Sequence, residues 1–257
     1  MALQVDLNAD MGESFGRWTL GDDATLMPQL TSANIACGFH GGDPHVMRET
    51  VALAIENNVG IGAHIGLPDL LGFGRRRLEI SAAELHDYTL FQLGALKAFA
   101  EAAGSRVQHV KPHGTLYTMI RDDADLANAV VSAIAETDAT VILLGAGGQQ
   151  AEIAAAAGVP FVSEGYVDLD YDAGGRLVLE RVKKLREPDV MATRAVRLVT
   201  ERKMVTVDDT DLDLAADSIC VHGDAPNASA IATAIRVALE GAGVELVPLA
   251  ALTRPPR

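Results

Sequence analysis

Asp6, Asn8 and Asp10 stand two apart in "VDLNAD", a spacing that points all three side chains to one face of a strand. Two carboxylates held side by side on an inward face are costly unless a cation or hydrogen-bond donors offset them. The same spacing opens a calcium-binding loop, but that loop continues with glycine and ends on glutamate at its twelfth position. This chain has Met11 and Arg17 there. Polar capping of a strand end is the plainer alternative. Further along, "CGFHGGDPH" sets His40 and Asp43 among glycines directly after an apolar run, and His64 closes "VGIGAHI". In "HVKPHG" the residues His109, Lys111 and His113 alternate and share a face, with His113 outermost. Glu164 ends "VPFVSE" with Asp168 close behind, and His222 and Asp224 follow "SICV".

A lone histidine is ordinarily a hydrogen-bonded core residue. Here four of the seven histidines fall at the ends of apolar runs, beside carboxylates, and together they outweigh that reading. Imidazole plus carboxylate in a water-accessible site suits a divalent metal or proton transfer near neutral pH. His86, inside a helical stretch, reads as surface. Arg75, Arg76 and Arg77 form a basic run whose default is solvated surface, though near His64 they are suited to carboxylate or phosphate. "GAGGQQ" at 145–150 has the first two glycines of a dinucleotide fingerprint but Gln150 in the third place, so a plain tight turn competes with phosphate binding.

Residues scattered this widely meet only if the elements between them bring strand ends together. Apolar runs at 3–7, 31–37, 59–65, 107–112, 140–145, 159–164 and 218–223 read as seven strands. Helical stretches at 44–58, 81–103, 123–136, 147–157, 188–202 and 226–242 separate most of them. Asp43 before Pro44 marks one helix start. Ser81 with Glu84, flanked by Ile80 and Leu85, marks another as a capping box with a hydrophobic staple. Alternating strand and helix implies parallel strands and crossover helices, with all strand C-termini on one face. The expectation is an α/β fold, a closed (β/α) barrel of about seven units over residues 1–257 as one domain; an open doubly wound sheet is the competing arrangement. The interval 165–187, broken by Asp172-Ala-Gly-Gly, reads as a hairpin excursion inside one connection.

The 257 residues are 49% hydrophobic and only 4% aromatic, so the core is large and aliphatic. A formal charge of −14 repels phosphate backbones and anionic headgroups, which argues against nucleic acid and membrane as partners. Neither a leader-like start nor an apolar run of membrane length is seen, so a cytoplasmic location is expected, with homo-oligomerisation left open. Cys37 and Cys220 form no C-x-x-C and read as small core residues.

The stretches "DLNADMGESFG", "SANIACGFHGGDP", "GAHIGLPDLLGFGRR", "HVKPHGTLY" and "CVHGD" resemble, in order and nearly end to end, the LamB/YcsF family. That resemblance implies a (β/α)7 barrel of the glycoside hydrolase/deacetylase type. It also implies participation, with two partner subunits, in an ATP-dependent 5-oxoprolinase that opens a small-molecule lactam, 5-oxoproline, to glutamate. It implies a candidate catalytic set of Asp10, His40, Lys111, His113, Glu164 and Asp168, and a substrate- or phosphate-binding set of Asn8, Asp43, Arg75, Arg76, His222 and Asp224. Lys111 with Arg75 or Arg76 would steady the phosphates of ATP. Asn8-Ala-Asp10, Gly62-Ala-His64 and His113 are similar to the Asp-His-His site of deacetylase barrels, which implies Asp10, His64 and His113 as ligands of a possible divalent metal. Three departures stand out: Ile65 replaces a proline of the family pattern, and Leu169 and Glu180 replace two arginines, with Arg181 one place along. Two other functions fit the same residues: a stand-alone metal-dependent hydrolase of acetylated sugars or other amides, and a non-catalytic binding subunit.

Overall fold

The computed structural model describes residues 3–178, 180 and 183–253. Seven parallel strands form the barrel: β1 (Gln4–Met11), β2 (Ser32–Ala36), β3 (Gly60–Ile65), β4 (Val107–Pro112), β5 (Ile142–Gly145), β6 (Phe161–Tyr166) and β7 (Ser218–Val221). Each pairs with the next, and β7 pairs back onto β1 through Asp6 with Ser218 and Asn8 with Cys220, so the sheet closes. The closed (β/α)7 barrel is therefore the observed arrangement, and the open sheet is excluded.

The strands alternate strictly. Val5, Leu7, Ala9 and Met11 of β1, with Ala33, Ile35, Ile61, Ala63 and Val110 on its neighbours, are buried in the layer under the helices. The other parity faces the barrel axis and is largely polar: Asp6, Asn8, Asp10, Ser32, Asn34, His64, His109, Lys111, Glu164 and Ser218 are all buried. Buried polar groups survive only when paired, and here they pair in layers. Asp6 accepts from Thr31 at 2.7 Å, from Ser32 at 2.6 Å and from Ser218. One layer up, the Asn8 amide donates to Ser218 at 2.7 Å and to Glu164 at 3.0 Å. The Asn34 amide donates to Asn8 at 2.7 Å and to Asp10 at 3.0 Å, and its oxygen accepts from His109 Nε2 at 2.8 Å. Gly62 leaves the room for His109, since a Cβ there would overlap the imidazole ring.

Helices α2 (Pro44–Glu56), α3 (Ala82–Ala102), α5 (Ala124–Asp138), α6 (Gln149–Ala156), α7 (Pro188–Glu201) and α8 (Ala228–Gly241) wrap the barrel, together with short α1 (Asp23–Leu26) and α9 (Leu249–Leu252). Asp43 caps α2 by accepting from the amides of His45 and Val46, and Ser81 with Glu84 forms the reciprocal box at α3. One helix the sequence pattern hides is α4 (Gly114–Asp122), which starts straight after His113 with no side-chain cap and stops at Asp123, the cap of α5. Leu116, Tyr117, Met119 and Ile120 do recur at helical spacing, but the helix follows β4 directly with no capping signal to mark its start. β1 carries Asp6, Asn8 and Asp10 on one face to the strand's end, as their spacing predicts, and all three find partners on the axis. Within 165–187, Asp170–Tyr171 pairs antiparallel with Leu177–Val178; a further ribbon joins Lys203–Val205 to Asp211–Asp213. No helix among the described residues is long and apolar enough to cross a membrane.

Candidate active site

The C-terminal ends of the strands surround a cavity that opens to solvent. Asp10, His64, Lys111, His113 and His222 reach it from β1, β3, β4 and the loop after β7. Its floor is built on Lys111, whose side chain is 1% exposed. The ammonium sits 2.8 Å from Asp10 Oδ1, 3.1 Å from Glu164 Oε1, 2.9 Å from Cys220 Sγ and 5.3 Å from the centre of the Tyr166 ring. Burial works to neutralise this lysine, but Asp10 chiefly, with Cys220 and Glu164, holds it charged with a raised pKa. Burial likewise pushes against ionised Asp10, and the charges of His64 and Lys111 outweigh it and keep the carboxyl well below its usual range. Glu164 is fixed further by the Tyr166 hydroxyl, donating at 2.6 Å.

Beside this floor three imidazoles and a carboxylate meet. His64 Nδ1 lies 3.0 Å from the Lys111 carbonyl and His113 Nε2 lies 2.8 Å from the Phe73 carbonyl. Their remaining nitrogens, His64 Nε2 and His113 Nδ1, face each other at 2.9 Å. Glu13 Oε1 stands 3.2 Å from His40 Nε2, 3.5 Å from His113 Nδ1 and 3.9 Å from His64 Nε2. These four residues could hold a metal ion. Burial, reinforced by Asp10 and Asp224, raises the Glu13 pKa well above the usual carboxylate range, and burial depresses those of His40 and His113.

On the opposite wall Asp168 accepts from the backbone amide of His222 at 2.9 Å and holds His222 Nδ1 at 3.0 Å. Burial opposes ionisation of Asp168, but His222's charge and hydrogen bonds prevail and bring its pKa down to about 2. A carboxylate holding one ring nitrogen of an imidazole at a cavity wall is an arrangement suited to acid–base chemistry. Tyr117, Tyr166, Leu169 and Leu177 give the cavity apolar wall. At the mouth Arg75 pairs with Asp224 at 2.7 Å, and Lys183 lines the rim.

Of the residues singled out from sequence, Asp10, His40, His64, Lys111, His113 and Glu164 converge, and Asp168 with His222 adjoins them. Asn8 lies one layer below, bonded to Glu164. Arg76 sits on the outer rim, 58% exposed and bound to Asp69, and does not line the cavity. Asp43 has its oxygens engaged by the amides of Gly16, His45 and Val46. The glycine turn at 145–150 is filled by its own Gln150, whose oxygen accepts from the Ala146 amide at 3.2 Å. Glu180 lines the cavity and pairs with Arg186 at 2.9 Å and Lys184 at 3.1 Å; Arg181 lies outside the described residues. Sequence reasoning missed Glu13, Tyr117 and Tyr166. Cys220 is a buried core residue, as expected, and its thiol also touches the Lys111 ammonium. The signal for Glu13 was its place in "NADMGE", one strand-end turn beyond Asp10.

The LamB/YcsF family profile matches residues 5–254. A protein of Nocardia farcinica, named as the A subunit of 5-oxoprolinase, is 50% identical over 244 residues, covering 94% of this chain and 98% of that protein. The protein of the same name from Tolumonas auensis is 47% identical over 246 residues, covering 95% and 98%. The crystal structure of a lactam utilization protein from Thermus thermophilus superposes with a TM-score of 0.89 at 41% identity, covering 96% of this chain and all of that one (100%).

Proposed function

This chain belongs to the LamB/YcsF family, and from that premise we propose that it is the A subunit of an ATP-dependent 5-oxoprolinase, acting with partner subunits to open 5-oxoproline to glutamate. The observation that carries the reading is the buried Lys111 ammonium at the cavity floor, opposite an Asp168–His222 pair and beside depressed imidazoles. A lactam opens only after its carbonyl is activated and when its ring nitrogen receives a proton as the C–N bond breaks. Phosphorylating the lactam oxygen with ATP supplies the activation and releases ADP. Two waters then balance the change: 5-oxoproline, ATP and two waters give glutamate, ADP and phosphate.

Each requirement has a residue of the right chemistry. Lys111 offers a fixed, desolvated positive charge to oxygen that becomes anionic, which is where electrostatic stabilisation is strongest. Asp10 and Glu164 hold that ammonium in place. His64 and His113, beside the floor, would position the attacking water. His222, oriented by Asp168, delivers one to the leaving nitrogen. Tyr117, Leu169 and Leu177 cover the ring methylenes, and Arg75 and Lys183 receive the substrate carboxylate or the phosphoryl group at the mouth. Leu169 and Glu180, where the family pattern has arginines, leave those two cations the main anion contacts among the described residues lining the cavity rim.

Mixing the purified chain with its partner subunits, ATP and 5-oxoproline tests the proposal. Glutamate and phosphate in equal amounts are expected, and only with all components present. No glutamate and no 5-oxoproline-stimulated phosphate release under any ratio of subunits contradicts it.

A further inference from the structure

The facing nitrogens of His64 and His113 define a site beyond the lactam chemistry. A carbonyl oxygen only accepts hydrogen bonds, so the contacts to the Lys111 and Phe73 carbonyls require hydrogen on His64 Nδ1 and His113 Nε2. The other nitrogens, His64 Nε2 and His113 Nδ1, face each other across 2.9 Å, with Glu13 Oε1 3.9 Å from the first and 3.5 Å from the second. Asp10 adds a further oxygen, its Oδ2 being 3.3 Å from His64 Nε2. Two imidazole nitrogens and a carboxylate oxygen thus converge, with Asp10 Oδ2 beside one of them, on a point that a single cation could occupy.

We propose that this is a divalent transition-metal site formed by His64 Nε2, His113 Nδ1 and Glu13, with Asp10 Oδ2 beside His64 and His40 as the residue that orients Glu13. The spacings fit a coordination sphere, since metal–ligand distances of ~2.0–2.2 Å place neighbouring ligand atoms about 3–3.5 Å apart. Ring orientation separates the roles. The His64 and His113 rings are nearly perpendicular, at 87°, so one point can lie in both planes. His40 stacks on His113 at 3.7 Å with 3° between planes, and parallel planes share no point, so His40 and His113 do not bind the same ion in plane. His40 Nε2 instead stands 3.2 Å from Glu13 Oε1, where its N–H would fix the carboxylate from behind. Two imidazoles and one or two carboxylates suit Zn²⁺, Mn²⁺, Fe²⁺ or Co²⁺ better than Mg²⁺ or Ca²⁺. The sequence pattern offers Asp10, His64 and His113 alone; Glu13 and the separate role of His40 come from the geometry.

The test is titration of the chelator-stripped full chain with Zn²⁺, Mn²⁺ and Co²⁺ alone, by calorimetry and, for Co²⁺, by its visible d–d absorption. The expected result is one equivalent bound by the wild type, with a rise in melting temperature. Glu13→Gln, which keeps the side chain's size, lowers affinity at least tenfold, His113→Gln abolishes binding, and His40→Phe weakens it roughly 10- to 100-fold. His45→Gln, on the exposed face of α2, leaves it unchanged. Absence of stoichiometric binding for all three ions, or wild-type affinity in folded Glu13→Gln, overturns the proposal. Because no substrate is involved, either result is independent of whether the assembly turns over 5-oxoproline.

Discussion

Lys111 Nζ lies 2.8 Å from Asp10 Oδ1, and both side chains are all but sealed from solvent, at 1% and 6% exposure. With Glu164 3.1 Å away on the other side, the ammonium bridges two carboxylates on the barrel axis. Coulombic attraction of this kind compensates desolvation only while all partners are present.

Replacing Lys111 with Met strands Asp10 and Glu164 and costs about 3–5 kcal/mol of stability, as breaking a buried pair does. Adding Asp10→Asn and Glu164→Gln to Lys111→Met recovers much of that loss. Urea unfolding of the single and triple variants checks this; equal stabilities contradict it.

Asp6 carries a pH signature. Burial chiefly raises its pKa from 3.8 to about 6, against the pull of Ser218, Ser32 and Thr31. A group whose folded pKa is raised contributes stability that is fully present below pH 3.8 and is lost as pH climbs through 6. Relative to Asp6→Asn, the wild type therefore loses roughly 2 kcal/mol between pH 4 and 7. A difference curve that stays flat over this range refutes the assignment.

The Asp168–His222 pair has the opposite sign. Asp168, held at about 2, contributes stability above its unfolded value of 3.8 that disappears as pH falls through 2. His222→Gln shifts the acid-unfolding midpoint upward and lowers kcat of the assembled enzyme by roughly 10²–10⁴, the range for losing a general acid. An unchanged kcat removes His222 from the mechanism.

Gly62→Ala drives a methyl into His109 and breaks its bond to Asn34, at a cost of about 1–3 kcal/mol or more. Gly94→Ala, on the exposed side of α3 with nothing within 4 Å, stabilises by about 0.5–1 kcal/mol. Thermal melts of the two variants moving in the same direction contradict this contrast.

Much of the barrel is legible in the chain because period-2 apolar runs and capping residues such as Asp43 and Ser81 are local signals. Closure follows from pairing seven such strands in order. What stayed hidden depends on side chains far apart in sequence. Asp10 reads as the tip of a strand until Asn34 and Lys111 are known to face it. Cys220 reads as plain core until an ammonium is found 2.9 Å from its sulfur. Glu13 lies in a loop without periodicity, and only the positions of His40, His64 and His113 give it meaning. Arg76 and Asp43, by contrast, have the right chemistry but local partners, Asp69 and the first turn of α2, occupy them.

The claim that the lactam is opened in this cavity is tested most directly by reconstituting the assembly with the Lys111→Met chain, under conditions where its circular dichroism matches wild type and the subunits still co-elute. The account predicts that 5-oxoproline-dependent glutamate formation falls at least a thousandfold. Glutamate production at the wild-type rate would place the chemistry elsewhere.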